Sequence, residues 1–79
     1  MYKIYGISDC GFCKRATALL QQQGFAYSYV PLDNSPELLE VLKGEYGWKT
    51  VPMVILLDQD QQIFVGGYTD LVERLNNKK

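Results

Sequence analysis

Asp9-Cys10-Gly11-Phe12-Cys13-Lys14 contains both cysteines of the chain, and its surroundings decide how the chain folds. Upstream lies a short apolar run, Tyr2 to Tyr5, then Gly6-Ile7-Ser8-Asp9; downstream a helix-like stretch runs from about Gly11 to Gln23. Two thiols three positions apart close a small disulfide when one turn of backbone holds them together. A strand, a loop and a helix opening on Cys-x-x-Cys is therefore a redox arrangement. With Ser8 or Asp9 as cap, Cys10 falls in the first helical turn, where unpaired backbone N–H groups and the helix dipole favour a thiolate. The dipole supplies only about 0.3–2 kcal/mol. Hydrogen bonds to a charged sulfur, about 1.5–3 kcal/mol each, are the larger source. Cys13 lies nearly one turn further in, on the side shared by Ala16, Thr17 and Leu20. Cys10 reads as the nucleophile and Cys13 as the buried thiol that resolves its mixed disulfide.

Two other uses of a cysteine pair stay open at this point. A structural disulfide is one, although pairs that staple small domains usually close larger loops. A metal site is the other; two cysteines and no histidine supply half a tetrahedron, so a partner or an external thiol would have to complete it.

Seventy-nine residues read as one domain, residues 1–79, and 47% apolar content with ten aromatics suffices for a compact core. Acids and bases are interspersed at a formal charge of -1, which leaves no basic stripe for nucleic acid. The longest apolar run, Val51 to Leu57, contains a proline and is too short to span a membrane. Met1-Tyr2-Lys3 enters a strand directly, with no targeting segment, so a cytoplasmic location is expected, where a Cys-x-x-Cys is catalytic rather than structural. Lys78-Lys79 reads as a complement to a helix end or as solvated tail.

In chain order, the first strand spans Tyr2 to Tyr5. The first helix buries Ala16, Leu19 and Leu20 and ends at Gly24. The second strand covers Ala26 to Val30, which makes a βαβ unit with its two strands parallel. Asn34 or Ser35, then Pro36 and Glu37, start a second helix, with Leu38, Leu39, Val41 and Leu42 as its apolar face and Gly44 and Gly47 as its stop. Met53 to Leu57 is continuously apolar, as suits a strand covered on both faces. Asp58 to Gln62 is a hairpin turn leading to Ile63-Phe64-Val65, and Gly66-Gly67 precedes a last helix from about Thr69 to Asn76. The order β-α-β-α-β-β-α gives an α/β fold, a four-stranded mixed sheet with three helices. Cys10 falls at the carboxyl end of the first strand, where open α/β sheets bind ligands.

This order, with Cys-x-x-Cys after the first strand and Thr50-Val51-Pro52 before the third, resembles the thioredoxin-like fold. Gly66-Gly67-Tyr68-Thr69-Asp70 narrows the resemblance to the glutaredoxins, over essentially the whole chain. The resemblance implies a glutathione-dependent thiol-disulfide oxidoreductase that acts as a monomer. It implies catalytic Cys10 and Cys13, and a glutathione site built from Phe12, Thr50, Val51, Pro52, Gly67, Tyr68, Thr69 and Asp70. It also implies a cis bond before Pro52, which offers the Val51 backbone to a peptide-like substrate. From the residues themselves, the glycines admit a ligand's backbone, and the start of the last helix suits a carboxylate. Asp70 can pair with an ammonium, while a plainer reading makes Thr69 an N-cap and Asp70 a first-turn acid.

Three departures mark the chain. Gly11-Phe12 stands where many dithiol glutaredoxins have Pro-Tyr, and Ile7 stands where many carry a Lys or Arg near the ligand's glycine carboxylate, a role open to Lys49. Cys-Gly-Phe-Cys, together with Trp48, is also similar to the monothiol glutaredoxins, which share a [2Fe-2S] cluster between two subunits. Resident metal is not expected, and a bridging cluster is a secondary alternative. A further alternative is a thioredoxin-like redoxin reduced by thioredoxin reductase. Ribonucleotide reductase is the protein partner that the family resemblance suggests.

Overall fold

A computed structural model describes residues 1–77, and the expectation for Lys78-Lys79 lies outside them. The elements are β1 (Tyr2–Gly6), α1 (Gly11–Gln22), β2 (Tyr27–Pro31), α2 (Pro36–Tyr46), β3 (Met53–Asp58), β4 (Gln61–Gly66) and α3 (Tyr68–Asn77). They form one mixed sheet in the order β2-β1-β3-β4. β1 is parallel to β2, while β3 is antiparallel to both β1 and β4.

Alternation along the central strands divides the core into two layers. Tyr2 and Ile4 of β1 and Val54 of β3 face Ala16 and Leu20 of α1 and Leu71 and Leu75 of α3. Met53, with Tyr5, Val30 and Phe64 around it, faces Leu42 and Leu39 of α2 and buries Leu32. Truncating a fully buried leucine such as Leu20 or Leu71 in such a layer costs about 2–5 kcal/mol. Both faces of β3 are therefore covered, and its unbroken apolar run follows from that.

The structure corrects four of the sequence expectations. Leu38 and Val41 are 42% and 60% exposed, so they do not belong to the buried face of α2. At 3.6 residues per turn, Leu39, Leu42 and Tyr46 form one line against the sheet, and Leu38 and Val41 form the next line outward. α2 also runs through Gly44 and stops only at Gly47, which has φ +63°. The hairpin turn is shorter than Asp58 to Gln62, because Asp58 pairs with Gln61 and Leu57 with Gln62, leaving Gln59-Asp60 as a two-residue loop. Finally, α3 begins at Tyr68, so Thr69 lies in its first turn and is not its cap.

Candidate active site

Neither Ser8 nor Asp9 caps α1. Cys10 is itself the N-cap, extended at φ -142° and ψ 107°, and its Sγ accepts the Cys13 N–H at 3.1 Å. A donor so placed is worth more to an anionic sulfur than to a neutral one. The Cys10 sulfur is partly exposed and lies 3.9 Å from the Val51 carbonyl oxygen, across a Val51–Pro52 bond that is cis.

Cys13 is 1% exposed. Burial pushes its thiol up to about 12, with hydrogen bonding to Cys10 adding to the rise and the Ile7 backbone opposing it. Part of that rise comes from Cys10 itself, through its hydrogen bond and its charge. The charge contribution is absent when Cys10 is held in a disulfide, whereas burial, the largest cause, remains. Gly6 makes room for it: a Cβ on residue 6 would stand 2.6 Å from the Cys13 sulfur.

The loop into Cys10 is held from the β2 side. Ser8 donates from its N–H to Asp33 at 2.9 Å and 3.2 Å and from its hydroxyl at 2.7 Å. The Ser8 N–H, and then its hydroxyl, hold the exposed Asp33 carboxyl below the usual carboxylate range. A carboxyl lowered by folding stabilises the folded chain above its unfolded-state value, and that contribution is lost as pH falls through the folded value. Asp33→Asn should therefore lower the urea midpoint at pH 7, while the gap between the two proteins should close as pH falls through the folded carboxyl's lowered value. A gap that stays equal as pH falls would refute this assignment.

The eight expected ligand residues that accompany the cysteines line a single groove of about 300 Å³. Phe12 comes from α1; Thr50, Val51 and Pro52 come from the lead-in to β3; Gly67, Tyr68, Thr69 and Asp70 come from the start of α3. The Phe12 and Tyr68 rings lie 5.8 Å apart across it, and Arg15 sits 5.3 Å over Phe12. Asp70 Oδ2 accepts the Gly67 N–H at 2.9 Å, so the carboxylate suited to a ligand's ammonium also closes the helix end.

Trp48 completes the groove wall and was not among the expected ligand residues. Its ring meets Phe64 edge-on at 5.2 Å, and Phe64 stacks on Tyr46 at 4.6 Å. The available signal was an aromatic in the short segment between the α2 stop and Thr50. Lys49 lies in a separate hollow with Glu40 and Lys43, and Asp70 is the only charged residue among those lining the groove.

The glutaredoxin family model matches residues 2–60. The chain belongs to the glutaredoxin family. Glutaredoxin 3 of Escherichia coli (strain K12) is 32% identical over 69 residues, which cover 87% of this chain and 78% of that one. The buckwheat glutaredoxin–glutathione complex superposes with a TM-score of 0.85 at 25% identity, over 99% of this chain and 70% of that one. NrdH-redoxin of Escherichia coli, a glutaredoxin-like protein described by its thioredoxin-like activity profile, superposes at 0.68 with 27% identity, over 94% and 92%. This glutaredoxin is thus a thiol-disulfide oxidoreductase with the thioredoxin-like fold.

Proposed function

We propose that this glutaredoxin reduces protein disulfides and glutathione mixed disulfides by a dithiol mechanism, in the cytoplasm and as a single domain, with glutathione as electron source. The Cys10 thiolate attacks one sulfur of the substrate disulfide, forms a mixed disulfide and expels the other sulfur as a thiolate. The Cys13 sulfur then bonds to the Cys10 sulfur, the substrate sulfur departs with the electron pair, and the Cys13 proton ends on that leaving thiol. Two glutathione molecules return the pair to dithiol and leave as glutathione disulfide. Ribonucleotide reductase is the protein substrate we assign from the family resemblance.

One observation carries this reading: a partly exposed Cys10 sulfur beside the Val51 carbonyl, at the edge of a groove whose walls are Phe12, Tyr68 and the start of α3. An extended tripeptide has a backbone to lay against Val51, and its anionic end suits the N-terminal end of α3. A second reading is favoured by the lack of any cation among the groove-lining residues, together with the likeness to NrdH-redoxin: electrons would come from thioredoxin reductase. Among the described residues no three His, Cys, Asp or Glu side chains converge as a metal site, so a cluster would need ligands from outside the chain.

A coupled assay following NADPH separates the two electron sources. Turnover with glutathione and its reductase is expected. Turnover with thioredoxin reductase alone would transfer the assignment to the second reading.

A further inference from the structure

Behind the cysteines, on the side away from the groove, one tyrosine touches the machinery without belonging to it. The Tyr29 hydroxyl donates to the Ile7 carbonyl at 3.1 Å. It also borders the point where a Gly6 Cβ would stand, 3.1 Å from it, and the Cys13 sulfur borders the same point at 2.6 Å. The sulfur and the phenol therefore meet at Gly6, beside the backbone that leads into Ile7. The Ile7 backbone is the group there that favours the Cys13 thiolate, against the burial that disfavours it.

From this we infer that Tyr29 is a positioning residue for the resolving thiol: its hydroxyl, bonded to the Ile7 carbonyl, pins the Gly6–Ile7 segment against which the Cys13 sulfur packs. The inference rests on the proposed roles of Cys10 and Cys13. The Asp33 clamp on Ser8 fixes the following residue from the same side, so two side chains from β2 and its exit secure the segment on which the sulfur leans. Without the hydroxyl the Ile7 carbonyl is unpinned, and the Gly6–Ile7 segment can shift away from the buried sulfur. Tyr29 itself responds to the same neighbours: burial pushes its phenol up, with the charges of Cys13, Asp33 and Cys10 behind it. Lys14 and Tyr27 line the hollow that borders its ring.

The test uses dithiobis(nitrobenzoate), whose coloured thiol needs no glutathione site. Attack by Cys10 releases one equivalent in a phase that depends on reagent concentration. Attack by Cys13 on the Cys10 sulfur breaks the new S–S bond and releases a second equivalent in a phase that does not. In Tyr29→Phe the first phase should match the unaltered protein. The second should slow by about tenfold at neutral pH, the scale of one hydrogen bond to a charged group, and its pH profile should move upward.

A second phase with unchanged rate and pH profile overturns the inference. Absence of any second phase in the unaltered protein overturns the dithiol roles as well, which distinguishes the two failures. Should Tyr29→Phe fail to fold, NMR of the unaltered protein decides the matter. The Ile7 carbonyl and Tyr29 ring signals should both move at pH 7 when the dithiol closes to the disulfide, and neither should move when Cys10 alone is blocked in Cys13→Ala. Indifference of either signal to Cys13 sinks the idea.

Discussion

Cys10→Ser is expected to abolish turnover of every disulfide substrate, whereas Cys13→Ser is expected to divide the substrates into two groups. A serine hydroxyl at position 10 is not ionised near neutrality, and loss of the nucleophile lowers turnover on the order of a thousandfold or more. Cys13 enters one step later. Its N–H already bonds the Cys10 sulfur at 3.1 Å, so its own sulfur attacks at an effective concentration far above that of any free thiol. Removing it leaves a protein mixed disulfide waiting for an external thiol, and reduction of protein disulfides should fall by about a hundredfold or more. A glutathione mixed disulfide on Cys10 is resolved by a second glutathione and does not need Cys13, so that activity should survive. Steady-state rates on a reducible protein and on a glutathionylated peptide make the comparison. Full activity of Cys13→Ser on the protein substrate would remove Cys13 from the mechanism.

The parts of this site that were legible in the sequence are those whose chemistry is local. Cys-x-x-Cys at a helix start, a proline at the entry to an apolar strand and a double glycine before a helix each announce themselves within a few residues, and the fold brings them to one groove. The cap was misread for a physical reason. Ser8 is a good capping residue in isolation, but Asp33, twenty-five positions away, binds both its N–H and its hydroxyl and leaves the capping to a sulfur. Gly6 and Tyr29 were illegible as site residues because their roles depend on what the parallel pairing of β1 and β2 brings together. The outer line of α2 was misassigned because four apolar residues in five positions cover more arc than one packed face can hold.

Gly66→Ala tests how firmly the groove's far wall is tied to the sheet, and it is expected to be strongly destabilising. β4 gains one unpaired residue near its end, Val65, between the Val54–Gly66 and Ile55–Phe64 pairs, and this bulge turns the chain toward α3. Gly66 makes the turn at φ +121°, a region that side-chain-bearing residues occupy at a cost of about 1–3 kcal/mol. The added methyl would also stand 2.6 Å from Asp70 Oδ2 and 2.7 Å from its carboxyl carbon. Asp70 cannot retreat without releasing the Gly67 N–H that it holds at 2.9 Å, and a lost helix cap costs about 1 kcal/mol more. Together these consume much of the roughly 4–12 kcal/mol expected for a chain of this size, so the urea midpoint should drop sharply. Gly67→Ala is the internal comparison. Its methyl would meet Trp48 at 3.6 Å and the Pro52 carbonyl at 3.7 Å, both ordinary contacts, but it projects into the groove. That variant should keep a midpoint close to the unaltered protein and show a raised KM for glutathione mixed disulfides. If the two alanine variants melt alike, the turn at Gly66 does not carry the wall, and the positions of Tyr68, Thr69 and Asp70 must be fixed by α3 packing alone.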